Sequence, residues 1–219
     1  HADLDVPKES MDPFIGKYPE TAFSGGGYLP QDKPNAAFTG MISRMDRDVG
    51  ILRELLKKLK IDEKTLVIFS SDNGPHWEGG KDPRFFDSSA PFRGEKAELT
   101  EGGIRVPMIA AWPNKILPGS VSEHVSAFWD FLPTALDAAA IPCPNDVDGI
   151  SFLPELVGSK EQKKHKYLYW ELNWGGLTSF RALRFGDWKV VQNNRLDNSS
   201  QALRLFHLKE DPGEKYNLA

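Results

Sequence analysis

TLVIFSSDNGPHWEGG, residues 65–80, runs from an unbroken apolar segment straight into a polar turn. The apolar half has the length and residue types of a strand buried on both faces, the pattern of parallel sheets covered by helices. The D-N-G that follows falls just past the strand end, where open α/β sheets put their ligand sites. Asp72 and Asn73 place a carboxylate and an amide oxygen side by side, a hard-oxygen pair suited to Ca²⁺ or Mg²⁺. D-N-G is equally a good turn, and the tripeptide alone leaves both readings open. His76, before the Gly-Gly turn, either touches a substrate or hydrogen-bonds within its own loop.

Working outward, Met41, Ile42, Met45, Val49, Leu52, Leu56 and Leu59 recur at three- and four-residue steps, which predicts a helix over about 34–60. Asp32 and Pro34 suit its cap and first turn. The preceding HADLDVPKESMDPFIGKYPETAFSGGGYLPQDKP has no sustained period and reads as an extended surface segment. Downstream, IRVPMIAAW (104–112) reads as a second buried strand and SAFWDFLPTALDAAA (126–140) as a helix packed over it. Helix, strand, loop, strand, helix is an α/β arrangement with a mixed sheet flanked by helices. Beyond Lys163, YLYWEL, SFRALRF, WKVVQ and ALRLFHL are short β-type segments, with FGD as a tight turn between two of them. The chain thus divides into an α/β part, 1–162, and a small antiparallel β part, 163–219.

With 219 residues, 40% of them hydrophobic and 11% aromatic, a substantial core can be buried. A net charge of -4 supplies no basic surface for nucleic acid, so anion binding must come from a few placed cations. The single cysteine, Cys143, sits between two prolines and excludes an internal disulfide or a cysteine-based zinc site. No segment approaches the roughly 20 apolar residues of a membrane span, and no basic-then-apolar leader opens the sequence.

SAPFRGEKAELTEGG, residues 89–103, makes two competing offers. Ser89, Pro91 and Arg93 spell S-x-P-x-R, a signature in which sulfatases present the residue converted to a catalytic formylglycine. Lys96, five residues ahead of an E-G-G turn, can neutralise a sulfate or phosphate oxygen as a flexible point charge, or be one more solvated lysine.

Taken together, TLVIFSSDNGPHWEGG, RGEKAELTEGGIRVPMIAAWP, SAFWDFLPTALDAA, DGISFLPEL and LFHLKEDPGEKYNLA resemble the second half of the type I, formylglycine-dependent sulfatases of the alkaline phosphatase superfamily. The blocks stand in family order and cover nearly the whole chain, which makes them together far more specific than any one motif. The resemblance implies Asp72 and Asn73 as two calcium ligands, Lys96 as the lysine that grips the sulfate, and His76 at the substrate rim. It implies His1 as the acid that protonates the leaving alcohol. Arg93, Glu101 and Arg105 are expected to position Lys96 and its backbone. Asp130 and His124 are expected to be structural, and Trp77, Trp170 and Trp174 either stack on a sugar ring or belong to the core.

The chemistry so implied is attack on sulfur by a hydrated formylglycine beside Ca²⁺, with a sulfate ester, and a sulfated glycan in particular, as substrate. Ser89 follows D-N-G where the family nucleophile precedes it, so the S-x-P-x-R here is a decoy. The nucleophile motif, an early Asp-Asp pair and the first strands of the sheet have no counterpart in these residues, and the expectation is a portion of an enzyme, inactive by itself. By the same analogy the enzyme is periplasmic or secreted. Two alternatives stand beside this: a phosphonate or phosphate ester hydrolase of the same superfamily, and a non-catalytic carbohydrate-binding homologue.

Overall fold

The computed structural model describes residues 3–174, 178–195 and 202–219. The lead-in is not wholly extended. It forms a short helix, α1 (Lys8–Met11), continued by a 3-10 turn at Asp12–Phe14. This unit lies against the start of α2 (Pro34–Lys58) so closely that a Cβ on Gly40 would sit 2.8 Å from the Ser10 carbonyl.

Helix α2 starts with Pro34 at N1, where its missing N–H costs nothing, but Asp32 does not cap it. The N-cap is Lys33, and the free N–H groups of Asn35 and Ala36 donate to the two carboxylate oxygens of Glu20, both at 2.9 Å. A carboxylate from the lead-in thus meets the positive end of the helix dipole. Burial is confined to Pro34, Ala36, Ala37 and Gly40. Further along, Ile42, Met45, Leu52 and Leu59 of the predicted apolar stripe are exposed. Periodicity marks which face is apolar; it does not supply a neighbour to cover it.

The run at 65–71 does form a strand, β1 (Val67–Ser70). After the helical turn α3 (Glu101–Ile104), its partner is β2 (Met108–Ala111), paired antiparallel from Val67↔Ala111 to Ser70↔Met108. The expectation of a parallel strand buried on both faces is therefore corrected for this pair: β1 is half-buried throughout, and Met108 and Ile109 are exposed. The long excursion from Ser71 to Pro107, through the 3-10 turn Glu78–Gly80 and α3, brings the chain back alongside β1 in the opposite direction.

Helix α4 (Phe131–Ala138) and the turn α5 (Leu153–Leu156) follow. Asp130, at the head of α4, is the expected structural residue: it is buried and accepts from the Ala127 and Ile150 N–H groups and binds His165 at 2.7 Å. Thr134 joins it, donating to the Asp130 carbonyl and accepting from Phe152 N.

Strands β3 (Leu168–Trp174), β4 (Thr178–Phe185), β5 (Trp188–Arg195) and β6 (Arg204–His207) make an antiparallel sheet in sequential order. The FGD turn joins β4 to β5 with Gly186 at φ 58, a value that suits glycine. Ala182, Val191 and Phe206 alternate onto one face and pack on Leu99 and Leu208, with Ile104, Trp170, Leu172 and Phe180 at the margin. This core joins the sheet to the segment around α3, so residues 99–104 and the C-terminal strands share one interior. Among the described residues, no helix is long and apolar enough to cross a membrane.

Candidate functional site

Past Ser70 the backbone folds on itself. Ser71 Oγ donates to the Asn73 carbonyl at 2.8 Å, and Asn73 Nδ2 donates to the Gly74 carbonyl at 2.8 Å. Gly74 N–H donates to the Gly103 carbonyl (2.9 Å), Lys96 N–H to the Pro75 carbonyl (2.8 Å) and Gly102 N–H to the Arg93 carbonyl (2.7 Å). The D-N-G-P loop, the Lys96 loop and α3 are therefore joined in one hydrogen-bonded layer. The layer has no room for side chains: a Cβ on Gly74 would lie 1.9 Å from the Gly102 carbonyl, and one on Gly102 would lie 2.3 Å from the Gly94 carbonyl. Glycine is needed here for close backbone approach.

On this layer Lys96, half-buried, directs its ammonium at Glu78, with Nζ 3.1 Å from Oε1 and 2.9 Å from Oε2. That contact, foremost, holds the Glu78 carboxyl below its ordinary range, and Tyr28 also donates to it. His76 Nδ1 lies 3.1 Å from the Glu78 N–H and 3.1 Å from Glu78 Oε2, so it accepts from the amide when it carries no proton and donates to the carboxylate when it does. Burial, then Lys81, pushes the His76 pKa down against the opposing pull of Glu78; Lys96 and Asp72 also act on it. Asp72, His76, Glu78, Lys81 and Lys96 thus lie within one electrostatic neighbourhood. Lys81 itself is buried, depressed in pKa by that burial, and sits 4.0 Å over the Phe38 ring of α2.

Of the residues expected at the site, Asp72, Asn73, His76 and Lys96 come together on this layer. His1 lies outside the described residues. Glu78 was not foreseen: it reads in sequence as part of a W-E-G-G turn, and no periodicity marks a carboxylate whose partner is 18 positions away. Trp77 is partly exposed, donates its indole N–H to Glu95 and carries the Arg84 guanidinium 4.3 Å above its ring. Trp170 packs on Trp129 with ring centroids 5.6 Å apart, at the margin of the core. The Trp174 side chain lies outside the described residues. Ser89 belongs to a turn whose carbonyl accepts from Phe92 N, and it lines an open groove of about 770 Å³ along with Trp77, Arg93, Glu95 and Phe180. Lys96 is not part of that lining, so the groove adjoins the layer and is distinct from it. His124 is half-buried, and burial lowers its pKa. Cys143 is exposed.

Beneath the layer lies a buried charge cluster. Lys189 Nζ is 2.8 Å from Glu101 Oε1 and 3.2 Å from Glu214 Oε1, with all three side chains almost wholly buried. Glu214 Oε2 accepts from the Glu101 N–H at 2.6 Å, and Arg105 and Arg184 lie 3.6 and 3.7 Å from Glu101 Oε2. Burial raises the Glu214 pKa, with Lys189 pulling the other way. The expected positioning role of Glu101 has its geometry here: its backbone opens α3 and its side chain anchors α3 to β5. Arg105 stacks 4.4 Å over Phe92 and Arg93 5.4 Å over Phe206, which tethers the same loop. Lys189 and Glu214 escaped the sequence reading, although alternation with Val191 puts Lys189 on the inward face of WKVVQ.

Asp72 and Asn73 have the donor chemistry of a calcium site. Ca²⁺ takes about six to eight oxygens, and among the described residues no three His, Cys, Asp or Glu side chains are gathered for a metal. The described residues do not by themselves fit a complete calcium site.

The sulfatase family profile matches residues 11–141, and the profile for the C-terminal part of N-sulphoglucosamine sulphohydrolase matches 94–219. The chain belongs to the sulfatase family, of which it corresponds to the C-terminal portion. It is 31% identical to arylsulfatase A of Bos taurus over 223 residues, covering 92% of this chain and 42% of that protein. It is 30% identical to N-acetylgalactosamine-6-sulfatase of Canis lupus familiaris over 200 residues, 81% of this chain and 38% of that one. The structure is similar to that of Ps i-CgsB in complex with k-i-k-neocarrahexaose, with TM-score 0.77 and 27% identity over 100% of this chain and 43% of the other. The chain thus spans less than half the length of these relatives.

Proposed function

We propose that these residues form the anion-binding half of a sulfuric ester hydrolase whose substrate is a sulfated carbohydrate. The observation that carries this reading is Lys96: its N–H is tied to the Pro75 carbonyl and its ammonium stands in the same charge neighbourhood as Asp72 and His76. The family membership and the sugar-directed relative support the substrate class.

In this reading Lys96 draws off charge that builds on the sulfuryl oxygens as the ester bond breaks, a role that a preorganised cation performs best away from bulk water. The leaving alcohol oxygen needs a proton. His1 is the proposed donor, and His76 stands at the substrate rim. Asp72 and Asn73 contribute two oxygens toward a calcium ion completed by other ligands; such an ion would polarise the sulfuryl group. The nucleophile, a formylglycine in this reading, comes from outside the 219 residues, as does an export signal that would place the enzyme in the periplasm or outside the cell.

The test is sulfate release measured on two preparations. These 219 residues alone are expected to release none from a sulfated disaccharide, and the longer protein that carries the nucleophile to release it. In that longer protein Lys96→Met is expected to lower kcat/KM by about 10²–10³. Turnover by the 219 residues alone, or a Lys96→Met enzyme with unchanged kcat/KM, overturns the reading.

A further inference from the structure

Lys96 does not wait for an anion as an uncompensated cation. Glu78 contacts its ammonium through both oxygens, and that contact keeps the carboxylate ionised. Glu78 is also held in place. Its own N–H is bound to His76 Nδ1, Tyr28 donates to its carboxylate, and it opens the 3-10 turn Glu78–Gly80. That turn has Gly79 at φ 71 and Gly80 at φ 88, and a Cβ on Gly80 would lie 2.4 Å from Phe23 Cβ. The backbone that carries Glu78 is therefore held, and an anion that reaches Lys96 in this arrangement shares one ammonium with a negative charge.

The consequence depends on the charge of the ligand. A sulfate monoester carries one negative charge, whereas a phosphate monoester above its second pKa, near 6, carries close to two. Two anions on one ammonium stand about 5 Å apart. At an effective dielectric near 20, Glu78 then offsets part of the attraction of Lys96: relative to a neutral residue in its place it disfavours each further unit of ligand charge by roughly a few hundred-fold, and by closer to 10-fold once solvent screening at this half-exposed position is allowed for. His76 is neutral and offers no second cation to offset it. The Lys81 ammonium faces the Phe38 ring at 4.0 Å.

We propose that Glu78 is a specificity-determining residue that shifts the selectivity of the Lys96 site toward monoanionic esters and away from dianionic ones, and so favours sulfate monoesters against phosphate monoesters. The proposal rests on the reading of Lys96 as the sulfuryl-binding group. It also narrows the phosphorus alternative, because phosphate diesters and phosphonate monoesters are monoanions and pass the same filter.

The experiment titrates the longer ¹⁵N-labelled protein that carries the nucleophile at about pH 8 with methyl sulfate, dimethyl phosphate and methyl phosphate, following the Gly74 and Lys96 amides. Dimethyl phosphate separates charge from the identity of the central atom. Glu78→Gln, which keeps the shape and removes the charge, is expected to move the affinity ratio of both monoanions to methyl phosphate by about 10-fold toward methyl phosphate, chiefly by tightening that ligand. Glu78→Asp, which keeps the charge, should preserve the preference, whereas a merely structural role would weaken all three ligands alike. A cation at Asp72 and Asn73 acts on the wild type and its variants alike and drops out of the change between them. An unchanged ratio in Glu78→Gln overturns the proposal while leaving the Lys96 reading in place. Absence of wild-type binding, or binding that persists in Lys96→Met, overturns the Lys96 reading and the selectivity built on it.

Discussion

The two sheets of this molecule are finished to different degrees. In the four-stranded sheet, Ala182, Val191 and Phe206 face a shared interior, and even a lysine on that face, Lys189, is excluded from solvent and met by two carboxylates. In the two-stranded sheet, a sequence at least as apolar leaves Met108 43% and Ile109 65% exposed. Hydrophobic content does not explain the contrast, because the better buried sheet is the one that contains charge. What differs is closure: the C-terminal strands fold over α3 with their charges paired, and β1–β2 meets no such cover among the described residues. The glycine layer that bears Lys96 and D-N-G lies at the seam, tied to the closed side by Glu101 and to the open side by β1.

The contrast can be broken most sharply at Lys189. Lys189→Met leaves two carboxylates facing each other in the interior and should lower stability by about 3–5 kcal/mol in urea denaturation, with the Lys96-loop amides losing hydrogen-exchange protection. At the seam, Gly74→Ala pushes a methyl into the Gly102 carbonyl and should cost about 1–3 kcal/mol, read in the same melt. On the open side, Glu20→Gln weakens the remote cap of α2 and should cost about 1 kcal/mol, followed by helix ellipticity at low salt. His76 sharpens the comparison through pH. Its pKa is depressed in the fold, so it contributes stability that is full above about 6.5 and is lost as pH falls through the depressed value. His76→Gln should flatten the midpoint-versus-pH curve on that acid side alone. Least affected is the uncovered strand: Ile109→Ser should change stability by no more than about 0.5 kcal/mol.

How much of this was legible in the sequence follows the same division. The strand at 67–70, the helix from Pro34, the α4 helix and the short C-terminal strands could be read from period and turn chemistry because those signals are local. Whether the α2 stripe is covered could not, since period records a face and not a neighbour. The cap of α2 misled for a related reason: Asp32 is adjacent and suitable, but the carboxylate that serves comes from Glu20, 15 residues earlier. At the site, Lys96 and D-N-G carried a family spelling, whereas Glu78, Lys189 and Glu214 are defined by partners distant in the chain. Of these only Lys189 left a trace, in its alternation with Val191.

The bond between Glu214 and the Glu101 amide spans 113 residues of sequence. During synthesis Lys96 emerges and its loop can begin to turn long before Glu214 exists. Until then the Glu101 N–H lacks its carboxylate acceptor and Lys189 lacks one of its two carboxylate partners, so the floor under the glycine layer is unfinished. The glycine layer can therefore take its final form only once Glu214 has been made, and a ribosome that stalls after β6 would leave Asp72, Asn73, His76 and Lys96 above an unfinished floor.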